Sequence, residues 1–250
     1  CLLSWMVKLI YKNVDLVLIP SRGFKKNINK ICPTVKVKFY PNSARNIFYV
    51  NHKKTNSINK RKFTILFAGN IGEAQSMETI IQAAELLISY NNIIFQIIGS
   101  GSKFKWVESK IKKLNLYNIE LKERIPENRM PIIMQQASAL MVTLKNTDIM
   151  RLTIPNKIQS YLASGKPIIG SISGSGAKII NEANVGITCQ PENPQALANA
   201  VIRMSLTSNA KLVNMGENGR KYFLNNFEHN LLTKKLIKIF ISLRSNNYQK

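Results

Sequence analysis

FTILFAGNIGEAQSMETIIQAAELLISYNNIIFQIIGSGS, Phe63 to Ser102, is the stretch that decides the fold. It opens with an apolar run of strand length, Phe63–Ala68, and turns at Gly69, Asn70 and Gly72. Met77–Tyr90 then carries apolar residues at helical spacing, and a second apolar run, Ile93–Ile98, ends on Gly99. Strand, helix and strand in this order predict two parallel strands joined by a right-handed crossover.

The alternation continues downstream. The pattern predicts helices at Lys103–Leu114, Glu127–Gln136, Pro155–Ser164 and Gly176–Ala183, and strands at Ile119–Leu121, Ala139–Leu144, Pro167–Ser171 and Gly186–Cys189. Helices close the chain. The expected class is α/β, a Rossmann-like parallel sheet over residues 63–227 with helices on both faces, followed by a closing helix and tail over 228–250.

Upstream, Val14–Ile19 and Val35–Tyr40 read as strands, with Ser21 placed as a helix N-cap, and Pro41-Asn42-Ser43 ends a small first unit over 1–44. Residues 45–62, polar and basic without a sustained period, read as a linker. The opening CLLSWMVKLIYKNVDLVLI is apolar, but Lys8, Lys12 and Asp15 interrupt it short of a membrane span. It predicts a buried helix followed by a strand. The chain enters that pattern without an initial Met, as a piece of a longer protein would.

The 250 residues carry 36 Lys and Arg against 13 Asp and Glu, a formal charge of +23. Such a balance attracts phosphates, anionic membranes and nucleic acid alike. Here the excess is lysine spread among Asn and Ile, without a dense arginine run interleaved with aromatics, and nucleic acid is not expected as a partner. Cys1, Cys32 and Cys189 show neither metal nor disulfide spacing, which fits a reducing cytoplasm.

Sheets of this kind bind ligands beyond the carboxyl ends of their strands. Four loops lie there: FAGNIGEAQSM, IIGSGSKF, LKERIPENRMP and LKNTDIMRLTIPNKI. Neither a Walker loop nor a GxGxxG fingerprint is present, and glycines in such loops also simply make turns. The helix after TIPNKI is more informative. Pro155 suits its first turn and Gly165 its end, while Lys157 and Ser160 share a polar side near its positive pole. A lysine opposes the helix dipole there unless an anion is bound. The run SISGSGAK reads as a loop at the rim of the same pocket, with Gly174 and Gly176 allowing close approach.

The ordered set FAGNIG…METIIQAAELL, FQIIGSGS, KERIPENRMPIIMQQASALMVTLK, IPNKIQSYLASGKPII and NPQALANAV resembles the C-terminal half of GT-B glycosyltransferases of the retaining family 4. It is most similar to the bacterial surface-polysaccharide branch that includes L-fucosamine-type transferases. The likeness runs from Phe63 to about Phe227, and VDLVLIPS…VKVKFYPNS resembles the end of that family's N-terminal acceptor domain.

The resemblance implies a donor-binding domain for a nucleotide-sugar, a UDP-sugar, used as substrate with no cofactor. Gly69, Asn70 and Gly72 would lie near the diphosphate and sugar, Gly99 would shape the pocket, and Arg124 with Ile125 would lie beside the base. Pro155, Asn156 and Ser160 would touch the donor, and Arg151 and Lys157 would be the catalytic cations that neutralise the departing diphosphate. No DxD motif is present and no metal is implied; Asp148 reads as a solvated loop residue.

Two glutamates usual in the family are replaced by Leu152 and Ser160, and the Arg and Lys usual in the first loop are missing, with Asn70 and Gln75 or Ser76 nearby. His52 and His229 read as surface residues. The acceptor implied is a lipid-linked glycan, reached at the cytoplasmic membrane face. Most of the acceptor domain would come from a preceding segment or a partner chain. The closing LLTKKLIKIFISLRS reads either as a helix docking on that domain or as a basic amphipathic helix at an anionic lipid surface.

Overall fold

The computed structural model describes residues 2–49 and 62–247. His52 and most of the expected linker lie outside the described residues. The first unit comprises α1 (Leu2–Lys12), β1 (Val17–Ile19), α2 (Lys25–Ile31) and β2 (Val37–Phe39), with β1 and β2 forming a two-stranded parallel sheet. Ser21 accepts a hydrogen bond from the Gly23 amide, capping the turn that leads into α2. Ile19, Ile28, Cys32 and Val35 make its small core.

The large unit continues through β3 (Phe63–Asn70), α3 (Met77–Leu86), β4 (Ile93–Ser100), α4 (Phe104–Lys113), β5 (Ile119–Lys122) and α5 (Met130–Gln136). Then come β6 (Ala139–Thr143), α6 (Asp148–Leu152), α7 (Asn156–Ser164), β7 (Ile168–Ser171), α8 (Gly174–Glu182) and β8 (Gly186–Cys189). Three helices, α9 (Pro194–Ser205), α10 (Asn209–Asn226) and α11 (His229–Asn247), end it.

Its six strands are all parallel, in the order β5-β4-β3-β6-β7-β8. Side chains on β3 alternate between two cores, as the strand period requires. Phe63, Ile65 and Phe67 face a cluster with α3 and α9 residues such as Ile80, Leu197 and Val201. Leu66 and Ala68 face a second cluster with Ile158, Leu162 and Phe223 of α7 and α10. The near-continuous apolar runs of β3 and β4 reflect this burial on both faces.

Three expectations change. The helix α1 forms but is not buried: Leu3 is 68 % exposed, Trp5 60 % and Ile10 57 %. Apolar residues at helical spacing announce a face that wants cover, and no described element provides it.

The segment expected to begin a linker at residue 45 instead packs on the large unit. Asn46–Phe48 makes one 3-10 turn, and Ala44 and Phe48 are buried in the second core. Finally, α6 interrupts what read as a loop, its N-terminus capped by the Thr147 side chain, which accepts from the Met150 amide. Among the described residues no helix is long and apolar enough to cross a membrane.

Candidate functional site

The strand order reverses between β3 and β6, and a crevice opens there. These strands pair only at Ile65–Ala139 and Leu66–Leu140, then diverge. Tyr161, fully buried on α7, fills the split. Its hydroxyl accepts from the Ala68 amide at 3.2 Å and lies 3.4 Å from the carbonyls of Ala68 and Met141. Tyr161→Phe leaves that amide buried without its acceptor. The expected cost is about 1–3 kcal/mol, read as a lower urea midpoint at unchanged slope.

Beyond the crevice lies a cavity of about 470 Å³. Gly69, Asn70, Gly99 and Ser100 form its floor from the ends of β3 and β4, while Asn156, Lys157 and Ser160 approach from the start of α7. Arg124, Ile125, Glu127, Met130 and Met134 close the far side, with Phe48 across from them. Of the residues singled out in the sequence, Gly69, Asn70, Gly99, Arg124, Ile125, Asn156, Lys157 and Ser160 are thus brought together.

Lys157 is the unusual member. Its Nζ is sealed from solvent, has no hydrogen-bond partner among the described residues, and sits 3.5 Å from the centre of the Phe67 ring. Burial lowers its pKa to about 7. Glu127, the carboxylate in the cavity wall, is bonded to Arg45 at 2.5 Å and gives Lys157 no counter-charge.

Pro155 contributes no capping side chain at the start of α7, so the helix's first amides, next to the cavity-lining Asn156 and Lys157, lack a side-chain cap. Gly69 makes the room: with φ +129° and no side chain, it leaves space where a Cβ would stand 2.7 Å from Lys157 Cε.

The other named residues lie elsewhere. Arg151, on α6, is not in the cavity wall; it pairs with Asp148 and donates to Asn146 Oδ1 at 2.9 Å. The proximity of the two residues on one short helix explains the pairing, and Asp148 is a helix-start carboxylate bound to that arginine. Pro155, the predicted first residue of α7, is instead its N-cap, and the helix begins one residue later at Asn156. Gly72 starts the 3-10 turn Glu73–Gln75, where a Cβ would stand 2.6 Å from Asn70 Nδ2.

Gly174 and Gly176 do permit close approach, but to protein. A Cβ on Gly174 would meet the Arg151 carbonyl at 2.0 Å, and one on Gly176 would meet Ile172, Ile158 and Pro155.

The first loop is held from outside the cavity. Thr143 Oγ1 donates to the Gln75 carbonyl at 2.5 Å, the Lys145 amide to that of Ala74 at 2.9 Å, and Asn70 Nδ2 to Gln75 Oε1 at 3.0 Å. Lys103 reaches Glu78 at 2.8 Å and Glu73 at 3.0 Å. Lys145 also reaches Glu73 at 3.1 Å, so both lysines hold the loop in place through carboxylates.

Sequence reasoning missed Phe48, Met130, Met134 and Tyr161 as wall residues. Tyr161 is also part of the second core. Among the described residues, no group of three or more His, Cys, Asp or Glu side chains converges as a metal site would require.

The fold is shared with solved glycosyltransferases of the GT-B class. A structure of Anabaena Alr3699/HepE in complex with UDP and glucose superposes with a TM-score of 0.78 at 15 % identity, covering 96 % of this chain and 66 % of that one. WaaG, a glycosyltransferase involved in lipopolysaccharide biosynthesis, gives 0.69 at 17 %, covering 87 % and 60 %. At such identities the likeness concerns the fold.

In sequence, the chain is 26 % identical over 210 residues to the Pseudomonas aeruginosa protein named "Probable glycosyltransferase WbjE", 80 % of this chain and 52 % of that protein. The chain spans about half the length of the curated relatives it matches. The family described as Glycosyl transferases group 1 matches residues 50–222, which takes in the whole sheet and every cavity residue except Phe48. With a switch-point cavity, an uncompensated lysine at a helix start and this match over most of its length, the chain belongs to the glycosyl transferases group 1 family.

Proposed function

We propose that this chain is the donor-binding part of a retaining family 4 glycosyltransferase. It would move a sugar from a UDP-sugar to a lipid-linked or growing surface glycan, as the fucosamine-type branch does. The observation that carries the reading is Lys157: a cation without a counter-charge, at a helix start, inside a cavity at the switch point of the sheet.

A diphosphate supplies the missing charge. As the bond from sugar to diphosphate breaks, negative charge grows on the leaving phosphate; Lys157, its Nζ swinging off the Phe67 ring toward the ligand, would stabilise it together with the first amides of α7. Gly69 and Asn70 then border the diphosphate and sugar, Gly99 and Ser100 the floor, and Arg124 with Ile125 the base. Ser160 offers a hydroxyl where the family carries a carboxylate, which makes a weaker contact to ribose. Arg151, held by Asp148 and Asn146 outside the cavity, has no place in this arrangement.

Calorimetric titration tests the proposal. Saturable binding of a UDP-sugar, displaced by excess UDP, is the expected result; absence of binding by either compound overturns it.

The exposed apolar face of α1 and the edges of the two-stranded sheet, which no described strand extends, favour a companion reading. Residues 1–44 would be part of an acceptor domain whose remainder comes from a preceding segment or a partner chain, so that donor binding outlasts turnover in this chain alone. The DNA upstream of the Cys1 codon distinguishes these sources by an in-frame acceptor domain or an adjacent gene. The enzyme would work at the cytoplasmic face of the membrane. On α11, Ile237, Phe240 and Ile241 are exposed beside lysines 234, 235 and 238, a surface suited to anionic lipid. Sedimentation with anionic liposomes, against neutral ones, checks that contact.

A further inference from the structure

The cavity is not made by the large unit alone. One wall comes from the segment between β2 and residue 49, which crosses from the first unit over α7 and α5. It is fastened along its length. Asn42 Nδ2 donates to Asn156 Oδ1 at 2.8 Å, Ser43 Oγ to the Phe227 carbonyl at 2.7 Å, and Arg45 to Glu127 at 2.5 Å. Tyr49 stacks on Phe223 with ring centres 6.1 Å apart. Between these fastenings the 3-10 turn Asn46–Phe48 sets the Phe48 side chain into the cavity wall.

The two ends of the cavity differ in chemistry. Lys157, the first amides of α7 and the glycines of β3 and β4 make one end, suited to phosphates. Phe48, Ile125, Met130 and Met134 make an apolar slot at the other, with the Arg124 side chain at its edge. A flat heterocycle with polar edges fits such a slot better than a sugar, whose hydroxyls would lose their hydrogen bonds there.

We propose that Phe48 is a donor-affinity residue, providing the aromatic wall against which the base of a nucleoside diphosphate lies. The proposal rests on the donor reading above but concerns a residue that lies before the matched span 50–222. Its consequence is that part of the donor site belongs to the strap leaving the first unit. Donor affinity then depends on that strap being fastened.

The test compares UDP binding by calorimetry in the intact chain, Phe48→Ala and Phe48→Leu. Leucine keeps the buried apolar contact with α5 and α7, so Phe48→Leu should retain the thermal midpoint while losing the aromatic face. Both variants are expected to bind UDP more weakly, Phe48→Ala by about fivefold to a hundredfold, the usual range for an aromatic–base contact. The pH dependence due to Lys157 should remain with an unchanged midpoint, because the phosphate end is untouched.

UDP affinity equal to that of the unsubstituted chain in Phe48→Leu overturns the aromatic assignment. Loss of the pH dependence in either variant overturns it as well, since Phe48 would then act through the phosphate end. If the unsubstituted chain binds no UDP, the donor reading itself falls and this proposal with it; normal UDP binding that ignores Phe48 sinks only the present one.

Discussion

Lys157→Met is expected to weaken UDP-sugar binding by tenfold or more, while the chain stays folded. A hydrogen bond to a charged group contributes about 1.5–3 kcal/mol, and every 1.4 kcal/mol is a factor of ten in affinity. Methionine keeps most of the apolar stem and removes the ammonium that lies over the Phe67 ring. The same residue gives the site its pH response.

In the free chain burial lowers Lys157 from its ordinary 10.5 to about 7. A bound diphosphate favours the charged form and raises the value again. Binding above about pH 7 therefore takes up a proton, and affinity should fall as pH rises, by at most about tenfold per unit. Calorimetry at pH 8 in buffers of different ionisation enthalpy should give buffer-dependent heats for the unsubstituted chain and buffer-independent heats for Lys157→Met. Equal heats in both cases remove Lys157 from the site.

The free chain shows the opposite slope. Between about 7 and 10.5 the unfolded state binds more protons at this residue than the folded state does, so this group's contribution to stability rises with pH. A donor therefore stabilises the fold most near neutrality, and a UDP-induced rise in thermal midpoint should shrink from pH 7 to pH 9.

Gly99→Ala carries the second large effect. Gly69 and Gly99 are partners in the β3–β4 ladder, and a Cβ on residue 99 would stand 1.8 Å from the Gly69 carbonyl oxygen. Backbone has to move. Overpacking of this kind costs about 1–3 kcal/mol and occasionally more, and each kcal/mol lowers the thermal midpoint of a chain this size by roughly 2–4 °C.

The displaced atoms are the cavity floor. Binding of UDP should therefore fail even at temperatures where circular dichroism shows the variant fully folded. A Gly99→Ala chain that binds UDP normally would mean that the ends of β3 and β4 are not where phosphates sit.

Much of this architecture is legible in the sequence because its signals are local. Pro155 and Gly165 bracket α7, and the structure places Pro155 as N-cap and Gly165 in the left-handed region at φ +69°. The strand Gly186–Cys189 has the predicted ends. The ends of β3 and β4 extend through Gly69-Asn70 and Gly99-Ser100 because glycines face each other across the ladder, a cross-strand fact that no single segment discloses.

Composition misleads where neighbours decide. Asn46–Phe48 sits among basic residues and reads as linker, yet Phe48 finds an apolar slot between α5 and α7 that only the tertiary fold creates. Arg151 and Lys157 look alike in the sequence, two cations six residues apart around the start of α7. Their fates separate through partners, Asp148 for one and the Phe67 ring for the other.

The ladder between β3 and β6 also governs the order of assembly. Ile65 meets Ala139 across more than twice the length of chain that separates Phe63 from Ile93, and only two residue pairs join these strands. Closing so long a loop costs more entropy than closing the short crossovers on either side. Each half of the sheet, β3 to β5 and β6 to β8, can pair within itself first, with this joint closing over the longer loop. The donor pocket, which straddles that joint, is then complete only once both halves of the sheet have met, and in native-state hydrogen exchange the Ala68 amide, bonded to the Tyr161 hydroxyl across the split, should report its opening.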